Sequence, residues 1–346
     1  EVFQPVSSVT LRGGFGRVPT GERASGRWLR DPDRFVTVID GSRGQPGPHD
    51  DAYHLVRPQP NTFTTYDGIT FRNAQGGAIN FGPGGGIQLY DCHFSDFQIR
   101  EPIVYGFDAA WMLLAECSFV DNSPRYNAVT AGRVTGVSMS FCNFRNSHPP
   151  SLPTLAGAVQ VYAARHVDIL NCSFTDHSSS RAGGAARIER TTERARVEGC
   201  TFLSNSSTQH GGALYLEYND ADTAVLNCVF ESNHAQSFGG AISVTAGWAN
   251  ARIENCLFTD NTSNNHGGAV FAQRAWLANC TLVGNHSGTN EAGAAFLFDE
   301  ARLTNSILWN NTSALPAASL FSQQVLGTNS PIEDNIIAGA ADGLNL

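Results

Sequence analysis

Eight cysteines recur at one position of a repeat, and this regularity constrains the fold more than any other feature of the chain. Each cysteine is followed two residues later by Phe, or in the last copy by Leu, and the successive intervals are 25, 25, 30, 28, 28, 28 and 24 residues. The eight are Cys92, Cys117, Cys142, Cys172, Cys200, Cys228, Cys256 and Cys280. Such a period predicts a solenoid, in which each repeat is one coil and equivalent residues form ladders along the axis.

The residues around each cysteine indicate strands rather than helices. Segments such as 195–198 before the cysteine alternate in polarity with period two, and in most copies an Asn follows the Phe or Leu by three residues, as at Asn205 and Asn233. A polar loop then leads to Gly-Gly-Ala and another alternating run, as at 239–244. Between residues 60 and 346 no segment has a sustained helical period. We therefore predict an all-β fold, a right-handed parallel β-helix of roughly ten to twelve coils with three strands per coil and internal Cys and Phe ladders.

The first 60 residues differ from the rest of the chain. They contain eight arginines and several prolines, and they lack both the cysteine and the Gly-Gly-Ala signatures. We expect residues 1–60 to form N-terminal coils with an Arg-rich excursion, at 17–34, that caps one end, because terminal repeats are atypical. Residues 61–346 are predicted to form the regular β-helix.

Composition limits the partners and the location. The chain has 31 acidic and 22 basic residues, all of the latter Arg, for a formal net charge of -9. An acidic solenoid without a basic patch makes nucleic acid an improbable partner. No run approaches the ~20 apolar residues of a membrane span, so no span is expected. The chain starts at Glu1 and passes directly into strand-like residues, which is typical of an exported protein whose signal peptide has been removed. We expect an extracellular or cell-surface location.

Two motifs carry a resemblance to known families. The Gly-Gly-Ala-aliphatic and Phe-x-x-Asn repeats, as at 267–270 and 258–261, resemble those of the chlamydial polymorphic outer membrane proteins. The segments 11–16, 38–41 and 305–311 are similar to bacterial exoproteins of the pectate-lyase-like β-helix superfamily. The resemblance covers nearly the whole chain and implies a β-helical scaffold on a cell surface. It does not imply one activity, since many functions share this fold.

The cysteine ladder has three interpretations. Cys and the Phe two residues later share a strand face, so both ladders are expected in the core, where Cys acts as a small apolar filler. Disulfides are the alternative, because eight is an even number and the chain looks exported. In-register neighbours keep Cβ atoms near the ~4.8 Å strand spacing, whereas a relaxed bridge needs about 3.8 Å. A metal site would need convergent ligands rather than a line of sulfurs, and none is predicted.

The Asn residues after the Phe positions predict a second ladder, at a turn, in which stacked amides bond one another. Several of these Asn also begin N-x-S/T sequences, which the abundance of these residue types explains.

The Gly-Gly-Ala strand predicts an interaction face. If Ile242 and Val244 point inward, the Ala before them and the residue after Ile242 point outward, which gives an Ala column beside a variable column that includes Ser243. The predicted face consists of Ala185, Ala213, Tyr215, Ala241, Ala269, Phe271 and Phe296. A flat apolar strip of this kind favours docking of a partner. The other interpretation is that the small residues only ease a sharp turn.

The repeats contain few of the side chains that catalysis by this fold requires. Lyases of this fold that use a lysine base are excluded because the chain has no lysine, and the acids stand singly in turns, as at Asp121 and Glu231. No catalytic residue and no cofactor are predicted. We expect a non-catalytic structural or adhesive surface protein whose partner is another copy of itself or a surface or carbohydrate ligand. The alternative is a polysaccharide-degrading lyase or glycoside hydrolase of the pectate-lyase-like superfamily.

Overall fold

The described part of the chain is a parallel β-helix. The computed structural model describes residues 4–5, 7–17, 28–30, 36–41, 54–74, 76–97, 101–122, 127–146, 157–219, 222–245, 250–288, 292–314, 320–323, 332–333 and 336–338. Within them, three long parallel sheets of twelve, twelve and ten strands run along the axis, and a fourth, short sheet has six strands. The predicted all-β fold class is confirmed. Eight turns carry the cysteine, and the turns at either end of the described residues, which the twelve-stranded sheets include, lack it.

The pre-cysteine sheet contains the strand that comes before each cysteine. Its members pair in parallel and in register, with His166 beside Arg194 and Leu170 beside Glu198. Its strands are Val9–Arg12, Phe63–Asp67, Gly86–Tyr90, Trp111–Ala115, Gly136–Ser140, His166–Leu170, Arg194–Glu198, Asp222–Leu226, Ala251–Glu254, Ala275–Ala278, Arg302–Thr304 and Ile332–Glu333.

The phenylalanine sheet follows the cysteine. Its strands are Thr37–Asp40, Ile69–Arg72, His93–Ser95, Ser118–Val120, Asn143–Arg145, Ser173–Thr175, Thr201–Leu203, Val229–Glu231, Leu257–Thr259, Thr281–Val283, Ile307–Trp309 and Ile336–Ala338. The short sheet comes next, with strands Ser178–Ser179, Ser206–Ser207, His234–Ala235, Thr262–Ser263, His286–Ser287 and Thr312–Ser313.

The Gly-Gly-Ala sheet closes each turn. Its strands are Ile79–Phe81, Val104–Phe107, Val129–Gly132, Val159–Tyr162, Ala186–Glu189, Leu214–Glu217, Ile242–Thr245, Val270–Gln273, Ala295–Phe298 and Leu320–Gln323. An antiparallel pair, Phe15–Arg17 with Trp28–Arg30, lies in the N-terminal excursion. Residues 18–27 and 31–35 lie outside the described residues, so the capping role of this excursion stays a prediction.

Single left-handed residues make tight corners at several positions of each turn, two of which flank the phenylalanine strand. The residue before each cysteine has a positive φ, for example 54° at Asn227 and 55° at Asn255, and so does the residue before each ladder Asn, for example 55° at Ser232 and 53° at Asp260. Asn, Asp and Gly tolerate this conformation best, which explains why they recur there. The sequence periodicity thus reflects a backbone requirement at each corner.

The core is built from stacked equivalents. Phe rings of successive turns lie parallel, with centroids 4.7 Å apart for Phe202–Phe230 and 5.0 Å for Phe230–Phe258. All eight cysteines are buried and free, without disulfides. Their Sγ atoms donate to backbone carbonyls, as Cys228 does to Leu226 at 3.2 Å and to Val197 of the preceding turn at 3.7 Å.

The predicted asparagine ladder is present at the corner after the Phe strand. Asn233 Nδ2 donates to Phe202 O and to Asn261 Oδ1, both at 3.0 Å, and the backbone N of Asn205 donates to Asn233 Oδ1 at 2.9 Å. Asn205, Asn261 and Asn285 are fully buried. The N-x-S/T sequences that begin at these residues are therefore inaccessible in the folded protein.

Candidate functional site

The outer face of the Gly-Gly-Ala sheet is the candidate functional site. Here we call outer Gly-Gly-Ala face the two columns of side chains that point away from the core of that sheet. One column runs Gln160, Arg187, Tyr215, Ser243, Phe271 and Phe296, and the other runs Tyr162, Glu189, Glu217, Thr245, Gln273 and Phe298.

The four alanines predicted for this face are buried. Ala185, Ala213, Ala241 and Ala269 each have a relative exposure of 0%. The amides of Ala213 and Leu214 both donate to Ala241 O at 3.0 Å, and the same pairing recurs at the neighbouring turns. When two successive amides bond to one carbonyl, the alternation of side chains between the two faces is interrupted at the start of the strand. The Ala side chain is therefore not part of the outward column. Any partner would meet the aromatic residues instead.

Ser243 also departs from the expected exposure. It lies in the outward column between Tyr215 and Phe271, yet it is fully buried, and its hydroxyl has no hydrogen-bond partner within the described residues. Large rings on both sides exclude solvent from the smaller side chain. The outward direction of this column was predicted from the alternation, but its burial was not.

A second aromatic stack covers this face from the loops. His210, Phe238 and His266 occupy the residue before the Gly-Gly pair in three successive turns, and their rings are stacked, with centroids 4.9 Å apart for His210–Phe238 and 5.4 Å for Phe238–His266. The next glycine, Gly239, has a φ of 64°, and a Cβ atom there would come within 2.1 Å of Ile242 O. Only glycine fits this bend, so the bend fixes the loop ring against the sheet.

The loop stack and the sheet aromatics form one cluster, which we call the aromatic strip. Its members are His210, Tyr215, Phe238, His266, Phe271, Phe296 and Phe298. Phe238 lies 4.7 Å from Phe271, and Phe271 lies 5.5 Å from Phe296, centroid to centroid. Tyr215 and Phe296 retain only 6% and 8% exposure, whereas the other members are half-buried. Burial lowers the pKa of His210, so its ring is neutral at pH 7. Of the residues predicted for the face, the structure brings Tyr215, Phe271 and Phe296 together in this strip.

Charged residues adjoin the strip on its N-terminal side. Arg187 Nη2 lies 2.6 Å from Glu189 Oε1 and 3.3 Å from Glu217 Oε2, and the Arg187 guanidinium lies 5.3 Å from the centroid of the Tyr215 ring. Gln160 Nε2 donates to Glu189 Oε2 at 3.5 Å. We call this group the charged cluster. It contains one cation and two carboxyl groups in direct contact.

The two carboxyl groups of the charged cluster differ in their protonation. Burial raises the pKa of Glu217, and the neighbouring Glu189 raises it further. Burial also opposes the ionisation of Glu189, but hydrogen bonds from Arg187 and Glu217 outweigh it and lower the pKa of Glu189. The pair therefore releases its protons in two separate steps, Glu189 first.

The charged cluster was not predicted from the sequence, in which the acidic residues stand apart from one another. Glu189 and Glu217 occupy the same repeat position 28 residues apart and are in-register neighbours on adjacent strands. Comparing equivalent positions along the repeat would have revealed the pair. No group of three or more His, Cys, Asp or Glu residues suited to a metal ion occurs among the described residues.

Comparisons with known proteins agree with this architecture. A family model described as a right handed beta helix region matches residues 60–258, which is more than half of the chain. The model of the Chlamydia polymorphic membrane protein repeat matches residues 255–273, the segment that contains Phe258, Asn261 and Gly267–Val270. A search of curated proteins finds no match. In the described part of the chain, no helix has the length and apolar character needed to cross a membrane.

Proposed function

The chain belongs to the right-handed β-helix family, and on this premise we propose that it is a non-catalytic adhesive protein of the cell surface or extracellular space. The outer Gly-Gly-Ala face is the surface through which it attaches to a partner protein. The match to the polymorphic membrane protein repeat supports the surface location. The ladder residues supply the scaffold, and the non-repeating outward side chains supply the binding surface.

The aromatic strip is the observation that carries this proposal. Outward positions of a solenoid need no large apolar side chains for folding, yet here Phe271, Phe296 and Phe298 occupy three of them beside the loop ring of Phe238. Aromatic residues are enriched at the centres of protein interfaces, and a polar rim commonly surrounds them. The charged cluster on one side and the Gln273–Asp299 hydrogen bond, at 3.0 Å, on the other form such a rim.

A bead adhesion assay tests this proposal. Beads coated with the protein are expected to adhere to cultured cells or to one another, and Phe271→Ser is expected to abolish adhesion because it opens the centre of the strip. Trp309→Ser, which removes an exposed aromatic residue from the phenylalanine sheet, is the matched control. Adhesion between beads would identify a second copy of the chain as the partner, and sedimentation velocity would then show association that Phe271→Ser removes. Wild-type beads that adhere to nothing, or a Phe271→Ser protein that adheres normally, would refute the proposal.

A glycoside hydrolase is the second candidate, because Glu189 and Glu217 form a carboxyl pair with separated protonation. The geometry favours it less. Retaining hydrolases hold their two carboxyl groups about 5 to 5.5 Å apart and inverting ones farther, so that a sugar or a water fits between them. Here a single nitrogen of Arg187 contacts both groups, at 2.6 Å and 3.3 Å, and occupies the space between them. Release of reducing sugar from a polysaccharide panel, lost in Glu217→Gln, would replace the non-catalytic proposal with this one.

A further inference from the structure

A second exposed aromatic surface lies on the pre-cysteine sheet, away from the outer Gly-Gly-Ala face. Its outermost column runs Phe63, Gly86, Trp111, Gly136 and His166 in register across five strands. Phe63 is 51% and Trp111 47% exposed. Exposed rings thus alternate with glycines along the axis of the helix.

The glycines allow each ring to lie flat on the sheet. A Cβ atom at Gly136 would come within 2.0 Å of Trp111 Cζ3, and one at Gly86 would come within 2.7 Å of Phe63 Cδ1. The Trp111 indole is stacked with the His166 ring, with an interplanar angle of 5° and centroids 6.2 Å apart. The Phe63 and Trp111 rings therefore lie against glycine backbone on one side, and about half of each residue remains exposed to solvent. We call Phe63, Trp111 and His166 the flat platform.

Hydrogen-bonding side chains run beside the flat platform. The adjacent outward column contains Thr65, Gln88, Ser138 and Asp168, with Leu113 in its middle. The Thr65 hydroxyl donates to Gln88 Oε1 at 3.1 Å. A ligand that contacts the rings with an apolar face would therefore meet hydrogen-bonding groups along one edge.

Charges on this face are paired with one another. Asp168 accepts a hydrogen bond from Arg194 Nη2, and His166 Nε2 lies 2.9 Å from Glu193 Oε2. Arg165 also contacts Glu193. A charged ligand would have to displace these pairs, and an acidic one would also be repelled by the net charge of -9.

We infer that the flat platform binds an extended neutral glycan. The C–H groups on the face of a sugar ring carry partial positive charge and match the negative face of an aromatic ring, while its equatorial hydroxyls match polar groups at the side. Phe63 and Trp111 lie two strands apart, about 9.6 Å along the axis, which suits the disaccharide unit of an extended β-linked chain. A protein partner fits less well, because the rings are isolated among glycines and polar groups rather than forming a continuous apolar core.

Affinity electrophoresis in native gels tests this inference. Gels contain hydroxyethylcellulose, glucomannan or xylan, and the wild-type protein is expected to be retarded by at least one of these. Trp111→Ala should weaken binding by about tenfold or more, because an aromatic anchor at the centre of a contact carries most of its affinity. Trp276→Ala is the matched control, since Trp276 is 45% exposed on the same sheet but donates to Thr304 at 3.3 Å and lies outside the platform.

The variant Gly136→Ala tests whether glycan binding depends on the orientation of the Trp111 ring as well as on its presence. The added methyl group must lift the Trp111 ring from the sheet, so binding is expected to fall although the tryptophan remains. Circular dichroism melting of each variant shows whether it is folded, and quenching of tryptophan fluorescence by the glycan gives a second measure of binding in the wild type.

Four results would overturn the inference. They are a wild-type protein retarded by none of the three glycans, equal retardation of Trp111→Ala, undiminished binding by a folded Gly136→Ala, and tighter binding of polygalacturonate than of any neutral glycan. Phe271→Ser should leave glycan binding intact, because the flat platform and the outer Gly-Gly-Ala face lie on different sheets. Failure here therefore does not bear on the proposed adhesive function.

Discussion

At the scale of single residues, the direction of each side chain decides its role. In the strand Leu257–Thr259, Phe258 is fully buried between Phe230 and Leu282, whereas Leu257 beside it is 36% exposed. The repeat makes such alternation readable from the sequence, and the inward Phe and Cys positions are confirmed. The burial of the Ala positions was not predicted, because at the bend after Gly-Gly two successive amides bond to one carbonyl, which strand alternation alone does not reveal.

Removing one ring from the Phe ladder should be costly. Phe258→Ala is expected to lower the free energy of unfolding by about 3 to 5 kcal/mol, because the turns above and below cannot collapse into the gap. Leu257→Ala, on the outer side of the same strand, should cost less than about 1 kcal/mol. Denaturant unfolding of the two variants provides the measurement. An equal decrease in the free energy of unfolding for the two variants would show that the Phe ladder does not stabilise the core more than the outer residues do.

The cysteines should be unreactive in the folded protein. A thiolate at Cys142, Cys200 or Cys256 could be stabilised by S–H donation from its two neighbours, but each Sγ atom instead donates to backbone carbonyls. Burial raises the pKa of Cys117, and we assign all eight residues as thiols. Titration with an aromatic disulfide reagent should find almost no reactive thiol in the native state and eight after denaturation without reductant. Fewer than eight would indicate disulfides.

At the scale of structural elements, the corners hold successive turns together. The asparagine ladder links each turn to the next through both side-chain and backbone hydrogen bonds. The sequence predicted this ladder because Asn recurs at the required spacing. The charged cluster escaped prediction because only two turns carry acids at that position of the Gly-Gly-Ala strand, too few to stand out as a column.

Replacing one Asn of the ladder should lower the stability of the protein, because buried backbone groups at the corner lose their hydrogen-bond partners. Asn233→Ala removes the acceptor of the Asn205 backbone N–H and side-chain amide, and it leaves Phe202 O without its Asn donor. Because each buried unsatisfied group costs about 1 to 3 kcal/mol, we expect a loss of about 3 kcal/mol or more in thermal unfolding. The exposed Asn250→Ala is the control and should change stability by less than about 0.5 kcal/mol. Similar effects at both positions would contradict the structural role of the ladder.

The charged cluster should make stability depend on pH. Because the pKa of Glu217 is higher in the folded protein than its ordinary value of 4.5, its stabilising contribution is complete below that value and is lost as pH rises through the folded pKa. The lowered pKa of Glu189 acts in the opposite direction and only below 4.5. Urea unfolding between pH 4.5 and 7 should therefore show a shallower pH dependence for Glu217→Gln than for the wild type.

The control for this pH experiment is Glu231→Gln, which changes an exposed acid on the phenylalanine sheet. Its pH profile should match that of the wild type. An unchanged profile for Glu217→Gln would show that the carboxyl pair is not coupled as described.

At the scale of the whole molecule, residues that recur in every turn are easier to predict from the sequence than residues that occur in only a few turns. Ladder residues recur in almost every turn, so their spacing predicted the parallel β-helix, and family comparison agrees over residues 60–258. The two outer surfaces could be predicted only in part. Tyr215, Phe271 and Phe296 were identified from strand alternation, whereas the loop rings and the flat platform depend on bends and on glycines whose register with Trp111 appears only once the strands are stacked.

The alignment of the turns also determines how the protein would bear a load. Hydrogen bonds between neighbouring strands point along the axis, so a pull on the two ends separates them one after another rather than shearing many at once. The weakest turn then sets the rupture force, and each released turn of 24 to 30 residues lengthens the chain by roughly 80 to 105 Å. In single-molecule stretching the force should therefore rise and fall repeatedly, with one drop for each turn that is released.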